Sequence, residues 1–247
     1  MILLLDIGNT SIYMGISDGK TIIDTYRMNT EIEKTPDEYY ATLKSFFDIT
    51  QITNLAISSV VPRVTEAFKK IGHKYFHKAP LIVGPGVKTG VNIKTDNPKE
   101  VGGDLICDAA AIEHNDKPTL IIDLGTANKF IYVKNKTITG VIISTGIQVS
   151  RQALIGNTAL LPDIDIITPP KVLGTNTIQC MQSGLTYGTA ALIDGLVERI
   201  QEEVNEAFDV ILTGGLSIII QDLCKTPMIR EPRLVLKGLL NIYLRNN

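Results

Sequence analysis

TLIIDLGTANKF, residues 119–130, sets an apolar run directly before Asp123, Gly125 and Thr126, and MILLLDIGNTSI, residues 1–12, does the same before Asp6, Gly8, Asn9 and Thr10. Each run reads as a buried strand. The glycine after each acid lets the backbone turn tightly and lets a ligand approach its N–H groups. Threonine and asparagine add neutral donors that suit phosphate oxygens. An aspartate beside phosphate repels it unless a cation lies between them, so each elbow predicts Mg²⁺ held mostly through water, or a bound monovalent ion. The acids stand at positions 6 and 123 of 247, close to half the chain apart. That offset predicts two similar halves, each presenting one elbow to a nucleotide.

A third glycine turn, LTGGLS at 212–217, also follows an apolar strand. A single Asp-x-Gly is an ordinary tight connection; two copies at matching places, with this further glycine pair, favour phosphate binding. No GxxxxGK[ST] is present, which excludes a P-loop kinase, and no GxGxxG opens a helix after a strand.

Around the elbows, strand and helix signals alternate. TSIYMGISDGKTIIDTYRM predicts a hairpin turning at Asp18-Gly19. TPDEYYATLKSFF predicts a helix capped by Thr35, with Glu38 completing a capping box. LAISSVV is a strand stopped by Pro62, a short helix covers Thr65 to His73, and PLIVG is a further strand. Val83 to Pro98 is a glycine-rich loop of a length usually tied to function. A helix is expected from Asn97–Pro98 to Ala111, a long one over 176–207, and a last one opened by Pro232. On the long helix Gly184, Gly188, Ala191 and Gly195 form a small-residue stripe that admits another backbone.

Hydrophobic residues make up 44% and charged residues 20%, with net charge −2, which gives no electrostatic case for nucleic acid or an anionic membrane. The apolar run Met1 to Leu5 is too short for a signal peptide core or a membrane span, so a cytoplasmic protein is expected. Three scattered cysteines without CxxC spacing read as reduced structural thiols. His73 and His77 have the spacing of a helical zinc pair, but no further ligand completes a set.

The series DIGNT (6–10), YRMNT (26–30), SSVVP (58–62), VGPGVKTGVNIK (83–94), NPKEVGGD (97–104), DLGTA (123–127), MQSGLTYG (181–188), TGGL (213–216) and LKGL (236–239) resembles the type III pantothenate kinase family, within the actin/hexokinase/Hsp70-like ATPase superfamily. The resemblance covers nearly the whole chain. It implies an α/β fold of two similar ribonuclease H-like/actin-like domains, residues 1–115 and 116–247, with mixed sheets flanked by helices and a cleft between them. It also implies ATP-dependent phosphorylation of pantothenate at the start of coenzyme A synthesis. Asp6, Gly8, Asn9 and Thr10 would bind phosphate, with Mg²⁺ held by Asp6 through water. Gly125, Thr126, Gly214 and Gly215 would hold the rest of the ATP, with Asp123 beside a monovalent cation, K⁺ or NH₄⁺. Asp104 matches the catalytic aspartate that takes the proton of the attacking hydroxyl. Gly84, Pro85, Gly86, Lys88, Thr89, Gly90, Gly102 and Gly103 would border pantothenate, and Thr177 would complete the pocket across a homodimer interface.

Four departures stand out. The family's GADR reads GGDL here, so Leu105 replaces the arginine that grips the pantothenate carboxylate, a contact on the order of 2 kcal/mol or more. DFGTATT becomes DLGTANK, placing Asn128 and Lys129 where two threonines stand. PGI becomes TGI at 145–147, and GKNT becomes GTNT at 174–177. Lys129 and Lys88 are the candidates to compensate for the lost arginine. The alternatives are phosphorylation of another small alcohol, or a non-catalytic nucleotide-binding regulator.

Overall fold

The structure, a computed structural model, describes residues 1–113 and 117–247. Two compact units divide the chain: unit 1 holds Met1–His114, Lys136–Ile138 and Arg233–Asn247, and unit 2 holds Asn115–Asn135 and Thr139–Pro232. The boundary expected at 115/116 falls on residues 114–116, outside the described residues.

In unit 1, β1 (Ile2–Ile7), β2 (Ser11–Ser17) and β3 (Ile22–Asn29) form an antiparallel meander. Helix α1 (Pro36–Phe46) follows, with Thr35 and Glu38 forming the expected capping box. Strand β4 (Asn54–Ser59) pairs parallel to β1. Helix α2 (Pro62–Tyr75) begins on its proline. His77, at φ +53°, lies past its end, which removes His73 and His77 from a common helix face. Two short strands, β5 (Leu81–Ile82) and β6 (Asn92–Ile93), and helix α3 (Gly103–Ala110) complete this stretch. The expected helix from Asn97 is broken: Pro98–Glu100 is one 3₁₀ turn, and α3 starts at Gly103.

The sheet order is β3-β2-β1-β4-β5. Alternate residues of β1 feed opposite faces. Leu3, Leu5 and Ile7 join the core that includes Tyr39, Leu43, Phe68 and Ile71 from α1 and α2, whereas Ile2 and Leu4 join Ile106, Leu236, Leu239 and Ile242. Burial on both faces explains why the strand reads as a continuous apolar run.

In unit 2, β7 (Thr119–Leu124) pairs antiparallel with β8 (Ala127–Lys134), and β9 (Thr137–Thr145) follows a turn at Asn135–Lys136 with both φ positive. Helix α4 (Ile147–Gly156) and the long α5 (Thr177–Val204) precede β10 (Asp209–Thr213), short α6 (Ser217–Ile220) and β11 (Ile229–Arg230). Strands β7, β10 and β11 run parallel. The order β9-β8-β7-β10-β11 repeats that of unit 1, with an elbow strand central in each, an antiparallel hairpin on one side and parallel partners on the other. Leu120, Ile122 and Leu124 pack with Met181, Leu185 and Ile193 of α5.

Helix α7 (Leu234–Arg245) was expected with the second half, but it groups with unit 1. Leu236, Leu239, Leu240, Ile242 and Tyr243 lie on Ile2, Leu4 and Ala56, and a Cβ on Gly238 would stand 2.5 Å from the Cys107 carbonyl carbon. The glycine of LKGL is therefore a helix-crossing residue. Residues 136–138 also group with unit 1, because β6 pairs with Thr137 and Ile138. Among the described residues no helix is long and apolar enough to cross a membrane.

Candidate active site

In unit 1 the first elbow forms where β1 ends. Asp6 lies opposite Tyr13 on β2 and Ser58 on β4, and the Ser58 hydroxyl donates to Asp6 Oδ1 at 3.0 Å. Gly8 N–H closes the turn onto the Ser11 carbonyl at 3.0 Å, and Thr30, the last residue of YRMNT, donates its hydroxyl to the Gly8 carbonyl at 2.7 Å. Thr30 N–H also reaches the Thr10 carbonyl, and Val60 N–H reaches that of Ile7. The elbow is thus braced from β3 and β4, leaving Asn9 and Thr10 exposed.

Asp104 sits in the first turn of α3, partly exposed, where a carboxylate is favoured by the helix dipole. Its Oδ1 accepts from Leu105 N–H at 3.0 Å and lies over Gly102, leaving no room for a Cβ there. A Cβ on Gly103 would meet Ser58 Oγ at 3.6 Å. Ser58, fully buried, thus bonds Asp6 and lies beside Gly103 at the start of α3. It was not singled out in the sequence. The signal available was its place in SSVVP, on the strand parallel to the elbow strand.

Cys107 Sγ lies in the same surroundings. Burial, then the Asp6 and Asp108 carboxylates, push its thiol well above the usual range, with the Ser58 hydroxyl beside it opposing and Asp104 adding to the rise. The thiol stays protonated, which fits a structural cysteine and not a nucleophile.

The loop from Gly84 to Gly90 leaves β5 through Val83, whose N–H bonds to Ile57. Gly86 and Gly90 adopt φ +89° and +73°, conformations that favour glycine. The end of α7 straps the loop: Lys88 N–H donates to Asn246 Oδ1 at 3.1 Å, Asn246 Nδ2 donates to the Lys88 carbonyl at 3.0 Å, and Arg245 lies where a Gly90 side chain would be. Pro85 and Lys88 are exposed, and Thr89 bonds to the Val91 carbonyl.

Unit 2 carries the second elbow. Gly125 N–H turns back to the Ala127 carbonyl at 3.3 Å. Two glycines clasp this turn: a Cβ on Gly214, at φ +94°, would stand 2.6 Å from Leu124 N, and one on Gly146 would stand 2.5 Å from the Thr126 carbonyl oxygen. Thr213 pairs with Asp123 in parallel register, so the TGG turn lies beside DLGTA, with Gly215 unobstructed. Asp123 faces Lys129 across the β7–β8 pair, and Lys129 Nζ stands 2.5 Å from Asp123 Oδ2. Lys129 therefore pairs with Asp123 inside unit 2. Thr177 opens α5 and is exposed, behind an Asn176 cap whose side chain accepts from Gln179 N–H.

The expected residues thus fall into two groups. Asp6, Gly8, Asn9, Thr10, Gly102, Gly103, Asp104 and the 84–90 loop belong to unit 1. Asp123, Gly125, Thr126, Gly214, Gly215 and Thr177 belong to unit 2. Leu105 is 6% exposed, so the position of the lost arginine is an interior one.

A family model described as type III pantothenate kinase matches residues 2–199. The chain belongs to that family. The type III pantothenate kinase of Acholeplasma laidlawii is 57% identical over 246 residues, covering 100% of this chain and 99% of that protein. The type III pantothenate kinase of Halalkalibacterium halodurans is 42% identical over 253 residues, covering 100% of both. Among solved structures, the activator of 2-hydroxyisocaproyl-CoA dehydratase from Clostridium difficile, with bound ADPNP, superposes with a TM-score of 0.56 at 15% identity, covering 99% of this chain and 93% of that one. Component A of (R)-2-hydroxyglutaryl-CoA dehydratase from Acidaminococcus fermentans gives 0.57 at 14%, covering 99% and 96%. At these identities the likeness establishes the fold, the actin/hexokinase-like ATPase fold with its two mixed sheets.

Proposed function

We infer that this chain is a pantothenate kinase that transfers the γ-phosphoryl group of ATP to the primary hydroxyl of pantothenate, giving 4'-phosphopantothenate in coenzyme A synthesis. Family membership over the whole length carries the activity. The observation that supports the residue roles is that Ser58 bonds Asp6 and lies beside Gly103, next to Asp104, in unit 1.

Asp104 accepts the proton of the pantothenate hydroxyl as the new P–O bond forms, and Gly102 keeps the side chain folded over the helix start. The N–H groups of the Gly8–Thr10 turn and the Asn9 and Thr10 side chains hold phosphate oxygens. Asp6 and neighbouring hydroxyls are hard oxygen donors without a clustered ligand set; among the described residues no group of three His, Cys, Asp or Glu stands together. That donor set fits Mg²⁺ held largely through water and phosphate. When bound, Mg²⁺ neutralises the charge on the transferring group. In unit 2, Gly125, Thr126 and the exposed face of Gly215 are the proposed nucleotide contacts. The 84–90 loop, with Gly102 and Gly103, borders pantothenate.

A second copy of the chain completes the enzyme in this reading. A Cβ on Gly184 or Gly188 would meet nothing within 4 Å, so among the described residues no packing accounts for these glycines. Leu173 and Ile178 of the same unit are 85% and 49% exposed. We assign the protein to the cytoplasm, where ATP and its three free thiols coexist.

The buried Leu105 favours one second reading, an acceptor alcohol without a carboxylate. Asp104→Asn tests both. Pantothenate-dependent ADP release is expected to fall by about 10²-fold or more while ADP affinity stays. Unchanged turnover in the variant refutes the role, and turnover of pantothenate amides but not of pantothenate supports the second reading.

A further inference from the structure

Lys129 and Asp123 form a pair built by sheet register. Strands β7 and β8 run antiparallel with the two residues directly opposite, so both side chains leave the same face. Lys129 Nζ stands 2.5 Å from Asp123 Oδ2, and the two side chains are 15% and 16% exposed. The neighbouring residue fixes this register. Asn128, 2% exposed, donates Nδ2 to the Thr145 carbonyl at 3.0 Å, which opposes the one-residue slip that would turn Lys129 to the other face. Asp123 Oδ2 lies 4.0 Å from where a Cβ on Gly125 would stand, so the oxygen that the ammonium engages is the one beside the glycine of the elbow.

A monovalent cation at Asp123 does not fit this arrangement. The carboxylate oxygen turned toward the elbow is engaged by an ammonium, and a second cation on it would set two like charges side by side where water is largely excluded. Nor does the charge balance call for one. An aspartate alone repels nucleotide phosphate; one positive charge cancels it, and lysine ends in the same chemical group as NH₄⁺.

We propose that the Lys129 ammonium is a tethered replacement for the monovalent cation at Asp123, so that nucleotide binding and phosphoryl transfer by this protein require neither K⁺ nor NH₄⁺. It rests on the reading of the second elbow as a nucleotide-phosphate site. A tethered charge is present at every salt concentration, whereas an exchangeable ion must be bound from solution.

The test is MgADP binding by calorimetry at a fixed ionic strength of about 0.1 M, with either K⁺ or N-methylglucamine as the cation, so that screening is constant. The wild-type dissociation constant is expected to be the same in both salts within about twofold, Lys129→Arg likewise. Lys129→Thr, which restores a hydroxyl, is expected to bind at least about tenfold more weakly without K⁺ and to recover with it. A wild-type affinity that rises about tenfold or more with K⁺, a Lys129→Thr variant indifferent to K⁺, or no MgADP binding at all overturns the proposal. Should wild-type binding be K⁺-independent and Lys129→Thr K⁺-dependent while pantothenate is not phosphorylated, the acceptor assignment fails and this proposal stands. Lys129→Arg keeps the test open if Lys129→Thr does not fold: loss of MgADP binding by the arginine variant in both salts also overturns it.

Discussion

Gly214→Ala separates what the TGG turn does for the fold from what it does for the nucleotide. At φ +94° the residue occupies backbone space that a side chain reaches only at a cost of about 1 kcal/mol. The added methyl would also stand 2.6 Å from Leu124 N, backbone to which the second elbow is attached. Overpacking of this kind costs about 2 kcal/mol. Together these come to about 3 kcal/mol, a large part of the ~5–15 kcal/mol that holds a protein folded. For a chain of this size about 1 kcal/mol moves Tm by ~2–4 °C, so Gly214→Ala should melt roughly 10 °C below wild type. Gly215→Ala is the paired control. Its methyl meets nothing within 4 Å and its φ is not in the left-handed region, so its melting should match wild type while its ADP affinity falls. Thermal unfolding followed by circular dichroism, with ADP titrated by calorimetry, reads both. A Gly214→Ala protein melting within about 2 °C of wild type refutes the clasp, as would equal destabilisation by Gly215→Ala.

Other consequences follow from single contacts. Cys107 should resist alkylation at pH 8 in the folded protein while the exposed Cys180 reacts, which mass spectrometry after iodoacetamide resolves; rapid labelling of Cys107 contradicts its burial. Asp194 gives a pH signature. Burial alone would raise its carboxyl, but the Lys225 N–H and the Thr226 hydroxyl and N–H together hold it below its ordinary 3.8. A depressed folded value means stability that is present above 3.8 and lost as pH falls through the lower value, so Asp194→Asn should melt below wild type at pH 7 and the difference should vanish in strong acid. Removing residues 245–247 unstraps the 84–90 loop and should raise the KM for pantothenate about three- to tenfold with little change in kcat; an equal fall in kcat would place the strap in the chemistry instead.

The elbows and the repeat were legible because they are local: an apolar strand, an acid and a glycine are adjacent in sequence, and five strands of the six-stranded sheet repeat the order of the five-stranded one. The capping box at Thr35 was legible for the same reason. What escaped depends on distant pairing. Lys129 reads in sequence as a replacement for a threonine, and the β7–β8 register is what sets it opposite Asp123. Ser58 is one of two serines in an apolar strand, and only the parallel alignment of β4 on β1 brings it to Asp6. The last helix joins unit 1 because its apolar face matches Ile2 and Leu4, residues at the far end of the chain. Gly146 looked like half of an altered turn motif, yet its hydrogen is what lets β9 lead into α4 against the elbow.

The most direct measurement is identification of the product. Incubation of the protein with MgATP and pantothenate, followed by ³¹P NMR and mass spectrometry, should give one phosphomonoester on the primary hydroxyl of pantothenate for each ADP formed. ADP accompanied by inorganic phosphate and unmodified pantothenate, or no ADP at all, would contradict the account.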